Sequence, residues 1–205
     1  MNHPERSPER DAAIEAILDH VPDRGWSIAA LKSTLADPGE LEMLFPGGTS
    51  DLIEAYCDLA DRKMEADMAE ADTEGLGLTK RVRLALALRF QRQRPHRDAI
   101  RRAAAVLILP QNTALGLRTT ARTVDSIWHA AGDTSADFSW YTKRAILAVI
   151  CRATLLYWLR DYSEDDTDTL EFLDRRLAGI GRIGKLRGRV EKMMDRFKPG
   201  KTAEA

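Results

Sequence analysis

The chain has 205 residues, 31 basic and 32 acidic, with a net charge of -1, 44% apolar and 6% aromatic content. That length allows one large domain or two small ones and is enough for a sizeable core. The longest apolar stretch, Ala145 to Leu159, is interrupted by Arg152 and falls short of the roughly 20 residues a bilayer-crossing helix needs.

Helical periodicity dominates, and no segment alternates with period two for long enough to make a strand. An all-α fold is expected. The first helix opens at Ser7-Pro8 and runs towards Val21-Pro22, with Ile14, Ile17 and Leu18 on its apolar face. Gly25 turns the chain, and Ser27 caps a second helix, Ile28 to Ala36. A short third helix, Glu40 to Phe45, stops at Pro46-Gly47-Gly48. Thr49 or Ser50 then begins a long helix towards Asp72. Further helices are predicted over Thr79 to Arg94, Pro95 to Leu109, Pro110 to Ala130, Phe138 to Arg160 and Thr169 to Phe197, the fourth of these being the central core helix. The organisation expected is an N-terminal helix-turn-helix-like unit at 1–72, a helical core at 76–180 and a basic amphipathic helix at 181–198.

The near-zero net charge conceals segregation. Net charges of -12, +10, -6 and +7 fall on residues 1–75, 76–122, 123–174 and 175–205. The first residues are polar and acidic, unlike a signal or transit peptide, which reads as a cytoplasmic or already processed chain. Cys57 and Cys151 lie far apart within apolar helical patterns, as reduced core thiols do.

The helix, turn, short helix and Phe45-Pro46-Gly47-Gly48 arrangement resembles the TetR-type helix-turn-helix domain. A DNA reader needs cationic and amide side chains, whereas the recognition position here holds Glu40-Leu41-Glu42-Met43-Leu44. DNA is therefore not an expected partner. Further on stand Asp125-Ser126-Ile127-Trp128, Gly132-Asp133-Thr134-Ser135-Ala136-Asp137-Phe138 and Trp140-Tyr141-Thr142-Lys143-Arg144. With Leu109-Pro110-Gln111-Asn112 upstream and Phe172-Leu173-Asp174-Arg175-Arg176 downstream, they resemble the Coq-nine type family of ubiquinone-biosynthesis accessory proteins.

That resemblance implies a TetR-like helical bundle that binds an isoprenoid lipid instead of DNA, with no catalytic cofactor. It implies a homodimer lying peripherally on the inner membrane, on the matrix face in an organelle, and presenting ubiquinone precursors to demethoxyubiquinone hydroxylase. The competing reading is a TetR-type regulator sensing an apolar effector. A lipid site needs a concave apolar lining, for which Leu107, Leu109, Leu115, Trp128, Leu147, Ile150 and Leu156 are the candidates, each also suited to ordinary core.

Asp133 and Asp137 can shape the turn before a helix. Trp140 and Tyr141 lie about 100° apart on that helix and cannot share one narrow buried face, so the pair beside Arg144 has the composition of a partner-binding hot spot. In the last helix, Leu173, Leu177, Ile180, Ile183 and Leu186 recur at helical spacing among Arg182, Lys185 and Arg187. Such a helix can lie in a membrane interface, where each cation contributes about 1 kcal/mol on an anionic surface. Enzymatic activity is not expected: the four histidines are scattered, and neither a metal-ligand spacing nor a phosphate loop occurs.

Overall fold

The computed structural model describes residues 3–34, 41–134 and 139–179. Within them the chain is helical, with no strand. The helices are α1 (Pro8–Ile17), α2 (Val21–Arg24), α3 (Ile28–Lys32), α4 (Leu41–Leu44), α5 (Thr49–Glu70), α6 (Leu78–Gln93), α7 (Arg97–Leu107), α8 (Thr113–Ala130) and α9 (Ser139–Trp158). A last helix, α10, occupies 167–179. Of the residues singled out in the sequence, Asp137, Ile180, Arg182, Ile183, Lys185, Leu186 and Arg187 lie outside the described residues.

Local chemistry explains where the elements begin and end. Ser7 accepts a bond from the Arg10 backbone N–H at 3.2 Å, with Pro8 in the first turn of α1. The single helix expected up to Val21-Pro22 is instead two, because Pro22 fits the first turn of a new helix but not the interior of an old one. The helix expected to reach Ala36 ends at Lys32. There the Ser33 and Thr34 hydroxyls each donate at 2.7 Å to the carbonyls of Ala30 and Leu31, a local alternative to continuing the helix. Pro95 and Pro110 each open a short 3-10 turn, so α7 and α8 start at Arg97 and Thr113, later than the prolines themselves. α9 ends at Trp158 rather than Arg160.

α10 opens before Thr169. Asp165 and Asp166 adopt left-handed backbone with φ of 54° and 56°, a conformation that ordinary side chains rarely hold. Arg94 and Arg97 reach across from the α6–α7 junction to bond Asp166. Asp161 accepts from the Thr169 backbone N–H and hydroxyl at 2.8 and 2.5 Å and from Ser163, satisfying an amide of the first turn of α10.

One buried core runs from Ala13 to Leu177, with α5 packed against α8, α6 and α1 and α8 against α9. Trp26 ties the N-terminal helices to the rest by donating from its indole to the Ala99 carbonyl at 2.9 Å. Charged pairs brace the same seams. The cationic stretch of 76–122 is neutralised from both flanks. Arg89 lies 2.6 Å from Asp61, Arg122 lies 2.5 Å from Glu54, Arg92 pairs with Asp67 and Arg83 lies 2.5 Å from Asp174. The segregated charges are therefore largely structural cross-links between helices distant in sequence.

Candidate functional site

Helices α5 to α9 enclose a cavity of about 110 Å3. Its walls are Leu86 and Phe90 of α6, Ile100, Ala103, Ala104 and Leu107 of α7, and Cys151 and Leu155 of α9. On α6 the spacing of Val82, Ala85, Leu86 and Phe90 turns one face inward, and Arg89 and Gln93 share that face. Tyr56 of α5 and Thr119, Thr120 and Thr123 of α8 complete the lining. An apolar cavity of about 150 Å3 in a packed core admits benzene, so this smaller one can take only one end of a lipid and not the whole of it.

Leu107 is the one of the seven expected lining residues that borders this cavity. Leu115, Trp128, Leu147 and Ile150 are buried in packing elsewhere, whereas Leu109 and Leu156 are 41% and 58% exposed. The physical reason is the 100° step of a helix: long apolar segments cover several faces, and on α9 the cavity takes Cys151 and Leu155 rather than Ile150 and Leu156. Tyr56 and Arg89 were not singled out in the sequence. Their signal is there nonetheless, as two polar positions in phase with the apolar faces of α5 and α6.

Burial dominates the electrostatics. It pushes the Cys57 and Cys151 thiols up to about 12, which makes them unreactive core thiols. Burial also raises the Asp61 carboxyl to about 6, against the pull of the Arg89 guanidinium and a 3.0 Å bond from the Thr123 hydroxyl. Among the described residues no cluster of three or more His, Cys, Asp or Glu side chains could hold a metal ion.

A second candidate surface lies at the α8–α9 corner. Gly132, with φ of 78°, ends α8, and Asp133 follows. Arg144 bonds Asp125 at 2.6 Å and lies 3.9 Å from Asp133, while Lys143 bonds the other Asp133 oxygen at 3.3 Å. The Arg144 guanidinium sits 3.8 Å from the centre of the Trp140 ring, and Tyr141 meets that ring edge-on at 4.7 Å. Four of the five expected partner-binding residues, Asp133, Trp140, Tyr141 and Arg144, are thus brought together. Tyr141 is 69% exposed, as expected of one member of that pair.

The outer side of α9 continues from Tyr141 through Val149 to Leu156 and Tyr157, all exposed, and Tyr157 stacks on Phe172 of α10 at 4.6 Å. Leu173 and Leu177, expected at a membrane surface, are instead buried in the core, since the i and i+4 positions of α10 form the face that packs on the bundle. No helix among the described residues is long and apolar enough to cross a membrane.

The corner falls within a matched family region, and the cavity takes its α8 and α9 walls from it. The COQ9 family model matches residues 113–184. Over 181 residues, 83% of this chain, the sequence is 32% identical to the rat "Ubiquinone biosynthesis protein COQ9, mitochondrial", and over the same length 30% identical to the human protein of that name. This chain is a homologue of the COQ9 proteins. A Drosophila melanogaster COQ9 is 30% identical over 199 residues, 92% of the chain. The matched regions span 58%, 57% and 60% of the rat, human and fly proteins, less than two thirds of their length. Among solved structures, a TetR transcriptional regulator from Nitrosomonas europaea superposes with a TM-score of 0.68 at 22% identity, covering 84% of this chain and 97% of that one. This likeness shows a TetR-like all-α fold. It says nothing by itself of function.

Proposed function

We propose that this protein is an accessory factor of ubiquinone biosynthesis that binds an isoprenoid quinone precursor and presents it to demethoxyubiquinone hydroxylase. The observation that carries the reading is the similarity to COQ9 proteins along 83% of the chain. The apolar cavity between α5 and α9 supplies a place for part of a lipid, and the Trp140, Tyr141 and Arg144 corner supplies an aromatic and cationic surface for the hydroxylase. No catalytic role is assigned to any residue. The protein acts by holding and handing over a ligand, as a homodimer on the inner membrane, and in a mitochondrion on its matrix face. The basic segment beyond Gly179 faces the lipid headgroups.

The regulator reading has the fold in its favour, but the electrostatics of the N-terminal unit oppose it. At the recognition position Glu42 is exposed and occupied by Lys32 at 2.5 Å, and Met43 is exposed beside it. Phosphates would meet a carboxylate there, in a segment carrying -12. Mass spectrometry of lipid co-purified with the full chain tests the choice. An isoprenoid quinone or its precursor is the expected finding; a lipid-free protein that shifts a DNA probe at physiological salt would overturn the proposal.

A further inference from the structure

The apolar cavity does not end in a plain wall. Tyr56, Arg89 and Gln93 border it on one side, and the same three residues border a second cleft of about 300 Å3 that also touches Glu15, Lys63 and Arg92. They form a polar partition between an apolar chamber and a charged cleft. The Tyr56 ring is fixed by Trp26 at 5.2 Å, and its hydroxyl is buried with no hydrogen-bond partner among the described residues. A buried hydroxyl without a partner is costly enough to call for an explanation. The Arg89 Nη1 lies 2.6 Å from Asp61 Oδ1, and neither of these two buried atoms makes an aligned hydrogen bond. Another part of the lining is more open. Leu107, Thr120 and Leu155 are half-buried there and Arg152 is exposed.

We propose that Tyr56, Arg89 and Gln93 read the uncharged, oxygen-bearing head of an amphiphile, whose apolar tail leaves the cavity past Leu107 and Leu155. The partition offers hydrogen-bond donors, so the head must carry acceptor oxygens, as a quinone or phenol-type ring does. The Arg89 charge is already balanced by Asp61, so a doubly charged phosphate head would meet an uncompensated carboxylate. At about 110 Å3 the chamber excludes the whole lipid, so only one end of it can enter. This inference rests on the lipid-binding reading above and adds which end of the lipid is inside.

The test is calorimetric titration of the full-length protein and its Tyr56→Phe variant with three probes. These are a benzoquinone bearing a tail of two isoprenoid units, a ten-carbon terpene hydrocarbon without the ring, and geranyl diphosphate. The variant keeps the ring against Trp26 and loses only the partnerless hydroxyl, so its thermal midpoint should not fall. Loss of one hydrogen bond should weaken quinone binding about fivefold and leave hydrocarbon binding within about twofold. Unchanged quinone affinity in the variant overturns the proposal, as does equal weakening of quinone and hydrocarbon, which would make Tyr56 a mere wall. Tighter binding of the diphosphate than of the quinone overturns the uncharged head. If the unmodified protein binds none of the three, the lipid-binding reading itself falls and takes this one with it.

Discussion

Glu54→Gln tests the argument that opposed charge blocks hold the bundle together. Glu54 stands on α5 where that helix packs on α8, and it accepts bonds from Arg118 at 3.0 and 3.2 Å and from Arg122 at 2.5 Å. Arg122 is buried, whereas the Arg118 side chain is 46% exposed, so the two arms are unequal. The exposed arm contributes at most about 1 kcal/mol. Removing the anion from the buried arm costs more, up to about 3 kcal/mol, because a desolvated guanidinium loses countercharge. The sum is a destabilisation of about 2–4 kcal/mol, which in a chain of this size lowers the melting midpoint by about 4–16 °C. Thermal melts followed by circular dichroism would read it.

The pH dependence sharpens the test. Burial works to raise the Glu54 carboxyl, but the hydrogen bonds from Arg118 and Arg122 outweigh it and hold the group below its ordinary 4.5. A depressed folded-state value means that the stabilisation is complete above 4.5 and is lost as the pH falls through the lower folded value. The gap between the native protein and Glu54→Gln should therefore be full at pH 7 and close in acid. A gap below about 0.5 kcal/mol at pH 7, or one that does not narrow in acid, would refute the cross-bracing argument.

Two other predictions concern the surfaces. Trp140→Ala and Tyr141→Ala should each weaken binding of demethoxyubiquinone hydroxylase by about 1–2 kcal/mol in a titration, while Tyr141→Ala leaves the melting midpoint unchanged because its side chain is exposed. Unchanged affinity in both variants would remove this corner from the partner surface. Deleting the chain after Ile180 should abolish flotation with vesicles containing anionic lipid; flotation that survives would move the membrane surface elsewhere.

The helical architecture was legible because its punctuation is local. Ser7, Ser27, Gly25 and Gly132 each act within a few residues of where they stand, and the helix-turn-helix order follows from them. The interruption between α1 and α2 was also legible in principle, since Pro22 announces it. The start of α10 was not. It depends on Arg94 and Arg97 holding two left-handed aspartates some 70 positions away, which no local pattern encodes. The cavity lining failed for a related reason. Periodicity says that α9 has an inner face, but whether Leu155 or Leu156 borders the cavity depends on the rotation of one helix against another. The proximity of Asp133, Trp140, Tyr141 and Arg144 was legible because they are near one another in sequence and two adjacent aromatics admit few arrangements.

The arrangement of charge bears on how such a protein meets a membrane. Once Arg83, Arg89, Arg92, Arg94, Arg97 and Arg122 are joined to Asp174, Asp61, Asp67, Asp166 and Glu54, much of the charge of the +10 stretch is answered within the fold. The larger imbalances that survive are at the two ends of the chain. Residues 1–75 keep a surplus of carboxylates, and residues 175–205 carry +7 with few acids to answer it. Screening limits the reach of either end to about 8 Å at physiological salt, so neither attracts a membrane from afar. Under the proposed membrane association their effect would be on orientation at contact: an anionic surface would repel the acidic helix-turn-helix unit and attract the basic segment. Under the proposed membrane association, the exposed α9 face with Tyr141 would remain available to a protein partner, because it lies on described helices and not in the basic segment.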